Sequence, residues 1–279
     1  MRWVTGVASA TVSTTPAPPA PEPSGKPAKP ITLLTVERKE QLSPGMVRIH
    51  FTGDLAAFAG SAFTDRYVKL VFGDVSELER GGRPTLRTYT AIAPDVAAGT
   101  LSIDFVVHGD EGIAGPWAAA AAPGDSIHVR GPGGAYAPDP AADWHLLAGD
   151  EAAIPAIRQA LAALPADAQG YVVLQVDAAS YQQEVATPAG VELTWLHRAD
   201  TTHPSLADAV RALPWREGRV HAFVHGEGQV VMKEIRPYLV SERGVPRDDV
   251  SISAYWKQGR TEERFREWKA ALAAEEDAG

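Results

Sequence analysis

The chain has 279 residues, 45% hydrophobic and 22% charged, a globular balance that excludes wholesale disorder, collagen and coiled coil. With 26 Lys+Arg against 35 Asp+Glu the net charge is -9, which argues against a protein that coats nucleic acid or anionic membrane. Zero cysteines exclude disulfides, thiolate zinc sites, Cys-held iron–sulfur clusters and CxxC redox chemistry, so any electron traffic needs an organic cofactor or another metal.

Met1 to Val12 is a poor signal peptide, and no apolar run approaches the ~20 residues of a membrane helix, so the chain reads as cytoplasmic. Thr14 to Pro30 carries Pro16, Pro18, Pro19, Pro21, Pro23, Pro27 and Pro30, so residues 1–30 read as a disordered tail unable to bury enough apolar surface. From Ile31 the texture becomes period two. Val47, Ile49 and Phe51 alternate with Arg48 and His50, and Val68, Leu70 and Phe72 with Tyr67 and Lys69. Leu101, Ile103, Phe105 and Val107 then alternate with Ser102 and Asp104, and Ile127 and Val129 flank His128. Turn signals such as Ser43-Pro44-Gly45 and Pro123-Gly124-Asp125 separate these runs, predicting a six-stranded antiparallel barrel over residues 31–138.

Ala135 to Asp143 is a connector, after which strands alternate with helices over residues 143–279. The predicted strands are His145 to Ala148, Tyr171 to Val176, Glu192 to Leu196, Val220 to Val224 and Val250 to Tyr255. Helical spacing links Ile154, Ile157 and Leu161, then Val231, Ile235 and Leu239, and a last helix opens at Thr261 and buries Phe265, Trp268 and Leu272. The second domain is therefore a wound α/β unit with a mostly parallel sheet.

Three stretches carry chemistry. Arg87-Thr88-Tyr89-Thr90 offers a guanidinium, a planar ring and hydroxyls on one short strand, a set able to meet a diphosphate and a flavin, although an ordinary edge strand has the same look. Asp104 to Gly109 ends a strand in His108, and Gly112-Ile113-Ala114-Gly115-Pro116-Trp117 follows; glycines at a helix start let backbone N–H groups approach a phosphate. Gly149-Asp150-Glu151 lies at the carboxyl end of the first strand of the wound sheet, where ligands of such sheets bind, with Glu151 readable equally as the start of a helix. No G-x-G-x-x-G and no G-x-S-x-G occurs. His221 and His225 fall on a strand at a spacing of ~13 Å, so no metal site is expected there.

In order, these stretches resemble the siderophore-interacting protein family, FAD-containing ferric-siderophore reductases of the ferredoxin-reductase-like superfamily. Ser43 to Ile49, Tyr67 to Phe72, Gly131-Pro132-Gly133-Gly134, Gly149 to Ile157, Glu242 to Pro246 and Tyr255 to Arg260 extend the resemblance over nearly everything after the tail. It implies that the barrel binds FAD and that the α/β domain receives NADH or NADPH, with ferredoxin as an alternative donor. Arg87, Thr88, Tyr89 and Thr90 are expected at the flavin, with Asp104, Val107 and His108 at the isoalloxazine end. Gly112, Ile113, Ala114 and Gly115 are expected around the diphosphate, and Trp117 is expected among the cofactor-binding residues. Asp150, Glu151, Tyr255 and Trp256 are expected near the flavin or nicotinamide. The family pattern Gly-Pro-Ala-Ser is Gly-Ile-Ala-Gly here, so a hydroxyl donor is missing and weaker flavin retention is expected.

The implied reaction passes a hydride from nicotinamide to FAD and single electrons to the ferric ion of a siderophore, with no catalytic side chain of the protein's own. Lys69, Lys257 and Arg260 are expected to draw in the anionic iron complex. Two alternatives remain open: a reductase of the same superfamily with another acceptor, and a non-enzymatic siderophore-binding protein.

Overall fold

The computed structural model describes residues 29–82, 84–107 and 112–277; residues 1–28 of the expected tail, and His108, lie outside them. The first half holds β1 (Ile31–Ser43), β2 (Met46–Gly53), β3 (Tyr67–Phe72), a short α1 (Ser76–Glu79), β4 (Thr85–Thr90), β5 (Ile92–Asp95), β6 (Thr100–Val106), α2 (Ala114–Ala120) and β7 (Ser126–Gly133). The strands form one antiparallel sheet in the order β4-β3-β7-β1-β2-β6-β5. Since β4 and β5 stand at opposite ends of that order yet are joined through Ala91 alone, the sheet rolls until its ends meet. Ile49, Phe51, Val68, Leu70, Ile103 and Phe105 fill the interior, as their alternation predicts.

Seven strands replace the expected six. The additional one, β5, pairs with β6 while β4 pairs with β3. Its sequence, Ile-Ala-Pro-Asp, is short and contains Pro94, so it carries no period-two signal.

The second half holds β8 (Trp144–Asp150), α3 (Ile154–Ala163), β9 (Gln169–Val176), β10 (Gly190–His197), α4 (Leu206–Ala212), β11 (Val220–Glu227), β12 (Val250–Trp256) and α5 (Glu262–Asp277). All five strands are parallel, in the order β10-β9-β8-β11-β12. Both faces of this sheet are covered, so alternate residues feed two cores. Leu146, Ala148, Ala222 and Val224 meet α4, and Leu147, Val172, Leu174 and Phe223 meet α3. Val231, Ile235 and Leu239 are buried as their spacing predicts, but Val230–Ile235 and Tyr238–Glu242 wind as π-helix rather than α.

The strand order reverses between β8 and β11, the place where open parallel sheets take ligands at their carboxyl ends. The connector is tied back to the barrel there: Asp65, just before β3, accepts from the backbone N–H groups of Ala135 and Tyr136, both at 2.9 Å. At the far end of the chain, Arg266 on α5 donates to the carbonyl of Leu86 on β4 at 2.7 Å.

Candidate functional site

On the barrel side, β4 presents Arg87 and Tyr89 half-buried, Thr88 exposed and Thr90 buried. The register places Tyr89 opposite Val68 and Arg87 opposite Leu70, whereas Thr88 lies opposite Lys69, so the hydroxyl of Thr88 is on the other face from the guanidinium. The Tyr89 ring lies 4.6 Å from Phe105, and Phe105 lies 5.8 Å from Trp117 on α2. Through this aromatic chain the Arg-x-Tyr-Thr strand and the glycine loop stand side by side.

Gly112 has φ +82° with no atom within 4 Å of where a Cβ would stand, and the side chain of Ile113 does not cap the first turn of α2. Gly115 seats the helix close on β6; a Cβ there would stand 3.4 Å from the carbonyl of Val106. Backbone N–H groups at the uncapped start of α2 fit the diphosphate of FAD, with Pro116 removing one donor. The Trp117 ring stacks on Phe51 at 6.4 Å and meets Phe72 edge-on at 6.2 Å, so the side chain packs against the barrel core.

Asp104 and Val107, expected at the isoalloxazine end, each bond within the protein, Asp104 through its side chain and Val107 through its backbone. Asp104 is buried and holds Arg48 through two hydrogen bonds of 2.6 and 2.8 Å, so it braces β2 against β6 rather than lining an open flavin face. Val107 is half-buried and fixed by its N–H to the carbonyl of Gly45 at 2.8 Å.

On the α/β side, the end of β8 meets the ends of β11 and β12. Asp150 is buried; its Oδ2 accepts from the Trp256 indole and from the N–H of Glu227, both at 2.8 Å, and its Oδ1 accepts from the N–H of Ala152 at 3.0 Å. Burial and the neighbouring charge of Glu151 push its carboxyl up to about 6. Asp150 therefore ties the end of β8 to the ends of β11 and β12. Glu151 pairs with Arg198 beyond β10. Tyr255 packs against the His225 ring at 4.8 Å, and its phenol is pushed up by burial and by the carboxylates of Asp65 and Asp150, which places it where barrel and sheet adjoin. His225 is driven down to about 3 by burial and by the Lys269 cation, and its Nε2 engages Ser251 at 3.0 Å. His221 accepts from the N–H of Asp139 through Nδ1.

The expected positive charges divide. Lys69 is half-buried on β3, opposite Arg130 of β7 in the register, so two basic residues adjoin on the barrel. Lys257 is not a free cation: it pairs with Glu227 at 3.0 Å, and Glu227 also accepts from the backbone N–H groups of Gln229, Val230 and Gln258. Arg260 is exposed in the turn that follows. Sequence reasoning missed Glu227 and Arg130. Glu227 ends the strand beside β8 at the reversal point, a signal legible only once strand order is known.

A rolled seven-stranded antiparallel sheet followed by a five-stranded parallel sheet with helices on both faces has the ferredoxin-reductase architecture. Residues 35–78 and 73–136 match the siderophore-interacting FAD-binding domain, and residues 142–259 match the siderophore-interacting protein domain. The chain belongs to the siderophore-interacting protein family. It is 45% identical to an uncharacterized protein of Mycobacterium tuberculosis over 90% of this chain and 98% of that one. It is 34% identical to the ferric vibriobactin reductase ViuB of Vibrio cholerae, over 88% of this chain and 96% of ViuB. The crystal structure of the siderophore-interacting protein SipS from Aeromonas hydrophila superposes with a TM-score of 0.76 at 30% identity, covering 89% of this chain and 100% of SipS.

Proposed function

We propose that this protein is a cytoplasmic ferric-siderophore reductase that takes electrons from NADH or NADPH, the barrel at 31–138 holding FAD and the unit at 143–279 admitting donor and acceptor. The first turn of α2 at Gly112–Gly115, with no side-chain cap, carries this reading, since a protein that only bound an iron complex has no use for a diphosphate seat. When bound, FAD supplies the conversion between a two-electron hydride donor and single-electron transfer.

The chain's own residues supply position and charge. Arg87 and the backbone N–H groups at 114–115 hold the diphosphate, while Tyr89 and Tyr255 give the flavin aromatic neighbours. Asp150 fixes Trp256 at the crevice, which sets one wall of the approach to the flavin. Lys69, Arg130 and Arg260 attract an anionic ferric complex despite the net charge of -9. Hard oxygen donors hold the softer, less charged ferrous ion more weakly than the ferric ion, so reduction releases the metal without breaking the chelator. No helix among the described residues is long and apolar enough to cross a membrane.

The test is anaerobic reduction of the FAD-loaded protein by NADH, NADPH or reduced ferredoxin, followed by oxidation with a panel of ferric chelates. Bleaching of the flavin by a nicotinamide and its return with a ferric siderophore is the expected result. A colourless protein that cannot be loaded with FAD overturns the reading, and reoxidation by other acceptors alone selects the wider reductase superfamily.

A further inference from the structure

Away from the flavin cradle, α3 lies over the outside of the barrel, and a cavity of about 290 Å³ remains between them. Arg48 from β2, Ile92 from β5, and Pro155, Arg158, Gln159 and Ala162 from α3 line it. The two guanidinium groups differ in their partners. Arg48 gives Nε and Nη2 to Asp104, and that buried carboxylate is thereby committed. Arg158 is half-buried and donates no hydrogen bond to any described residue. Among the described residues one positive charge in the cavity is therefore left over, on a half-buried guanidinium whose N–H donors have no protein acceptor there. Burial and the like charge of Arg48 both lower the Arg158 pKa, while Asp104, the exposed Glu184 and Glu40 oppose them.

We propose that this cavity is an oxyanion site between the two halves of the protein, in which Arg158, with Arg48 and Gln159 beside it, takes the phosphate group of a small phosphorylated ligand. The polar lining is almost all donor, and it comes from two directions, β2 and α3, which suits an oxyanion with acceptor oxygens on several sides. Ile92, Pro155 and Ala162 add apolar wall for the short body of an ester, and the volume suits a small ligand. An anion seated there touches the barrel through Arg48 and the α/β half through Arg158, so it braces one against the other. The inference stands independently of the reductase reading.

FAD-loaded protein, in which the flavin cradle is already filled, is titrated with inorganic phosphate and with phenyl phosphate, using sodium chloride at matched ionic strength as reference. Thermal unfolding and calorimetry are the readouts. Saturable stabilisation beyond that of chloride is expected, with at least tenfold weaker binding in Arg158→Gln, an intermediate loss in Arg158→Lys, tighter binding in Glu184→Gln, and an unchanged flavin spectrum in all three. Tighter binding of phenyl phosphate marks a phosphate ester as the ligand, and equal binding marks phosphate itself. Equal affinity in Arg158→Gln, or a wild-type response no larger than that to chloride, overturns the proposal.

Discussion

The indole nitrogen of Trp256 donates to Asp150 Oδ2 across 2.8 Å, and so fastens the last strand of the parallel sheet to its central strand at the point where strand order reverses. One carboxylate organises three chain segments there, because the N–H groups of Ala152 and Glu227 converge on it as well.

The first prediction concerns acidity. The Asp150 carboxyl sits at about 6 in the fold against an ordinary 3.8, because burial and Glu151 outweigh its three donors. A folded value above the unfolded one makes its contribution complete below about pH 4, and that contribution is lost as pH rises through about 6. Asp150→Asn removes the titration. The difference in unfolding free energy between wild type and variant should therefore change by up to ~3 kcal/mol across that window in urea denaturation. Parallel pH profiles for the two proteins would show that Asp150 does not titrate there.

Lys257 and Glu227 have side-chain exposures of only 18% and 12%, so their pair is partly shielded from water. Lys257→Met leaves the Glu227 carboxylate with backbone donors alone and should cost about 2 kcal/mol in chemical denaturation. Lys69→Met, on the barrel surface, should cost less than about 0.5 kcal/mol while raising the KM for anionic ferric chelates. Equal stability losses in the two variants count against this division.

Arg87→Ala should weaken FAD binding at least tenfold, since a charged hydrogen bond contributes roughly 1.5 to 3 kcal/mol. Gly112→Ala tests the cradle separately. Its φ of +82° makes a side chain there cost about 1 to 2 kcal/mol, with no protein atom within 4 Å to clash with. FAD content after gel filtration should fall in both variants, and unchanged content in either removes that residue from the flavin seat.

Trp117→Ala should destabilise the barrel by about 3 to 5 kcal/mol, because the ring fills space among Phe51, Phe72 and Phe105. Trp117→Phe should recover most of that. A near-neutral alanine variant, judged by melting temperature, would return Trp117 to the surface.

Periodicity made both sheets legible, because strands with one or two buried faces write that burial into alternate positions or continuous apolar runs. It failed at β5, where Pro94 and a length of four residues leave no pattern. At the site, position at a strand end singled out Asp150, and the family resemblance and the last strand's end singled out Trp256 and Lys257, each by itself and each as a ligand contact. Their mutual hydrogen bonds, and the part played by Glu227, depend on β8 and β11 being neighbours, a long-range pairing that no local motif encodes. Asp104 is similar: its alternation with core residues places it outside the barrel, yet only the β2–β6 register brings Arg48 opposite.

The hydrogen bond from Arg266 to the carbonyl of Leu86 spans 180 positions of sequence. During synthesis, all seven barrel strands leave the ribosome within residues 31–133, so the first unit can pair its strands before the parallel sheet has been translated. The contact from α5 is added last. A nascent chain halted before α5 therefore carries a paired β4 without the bond from Arg266, and the final helix adds a late tie to the strand bearing Arg87 and Tyr89.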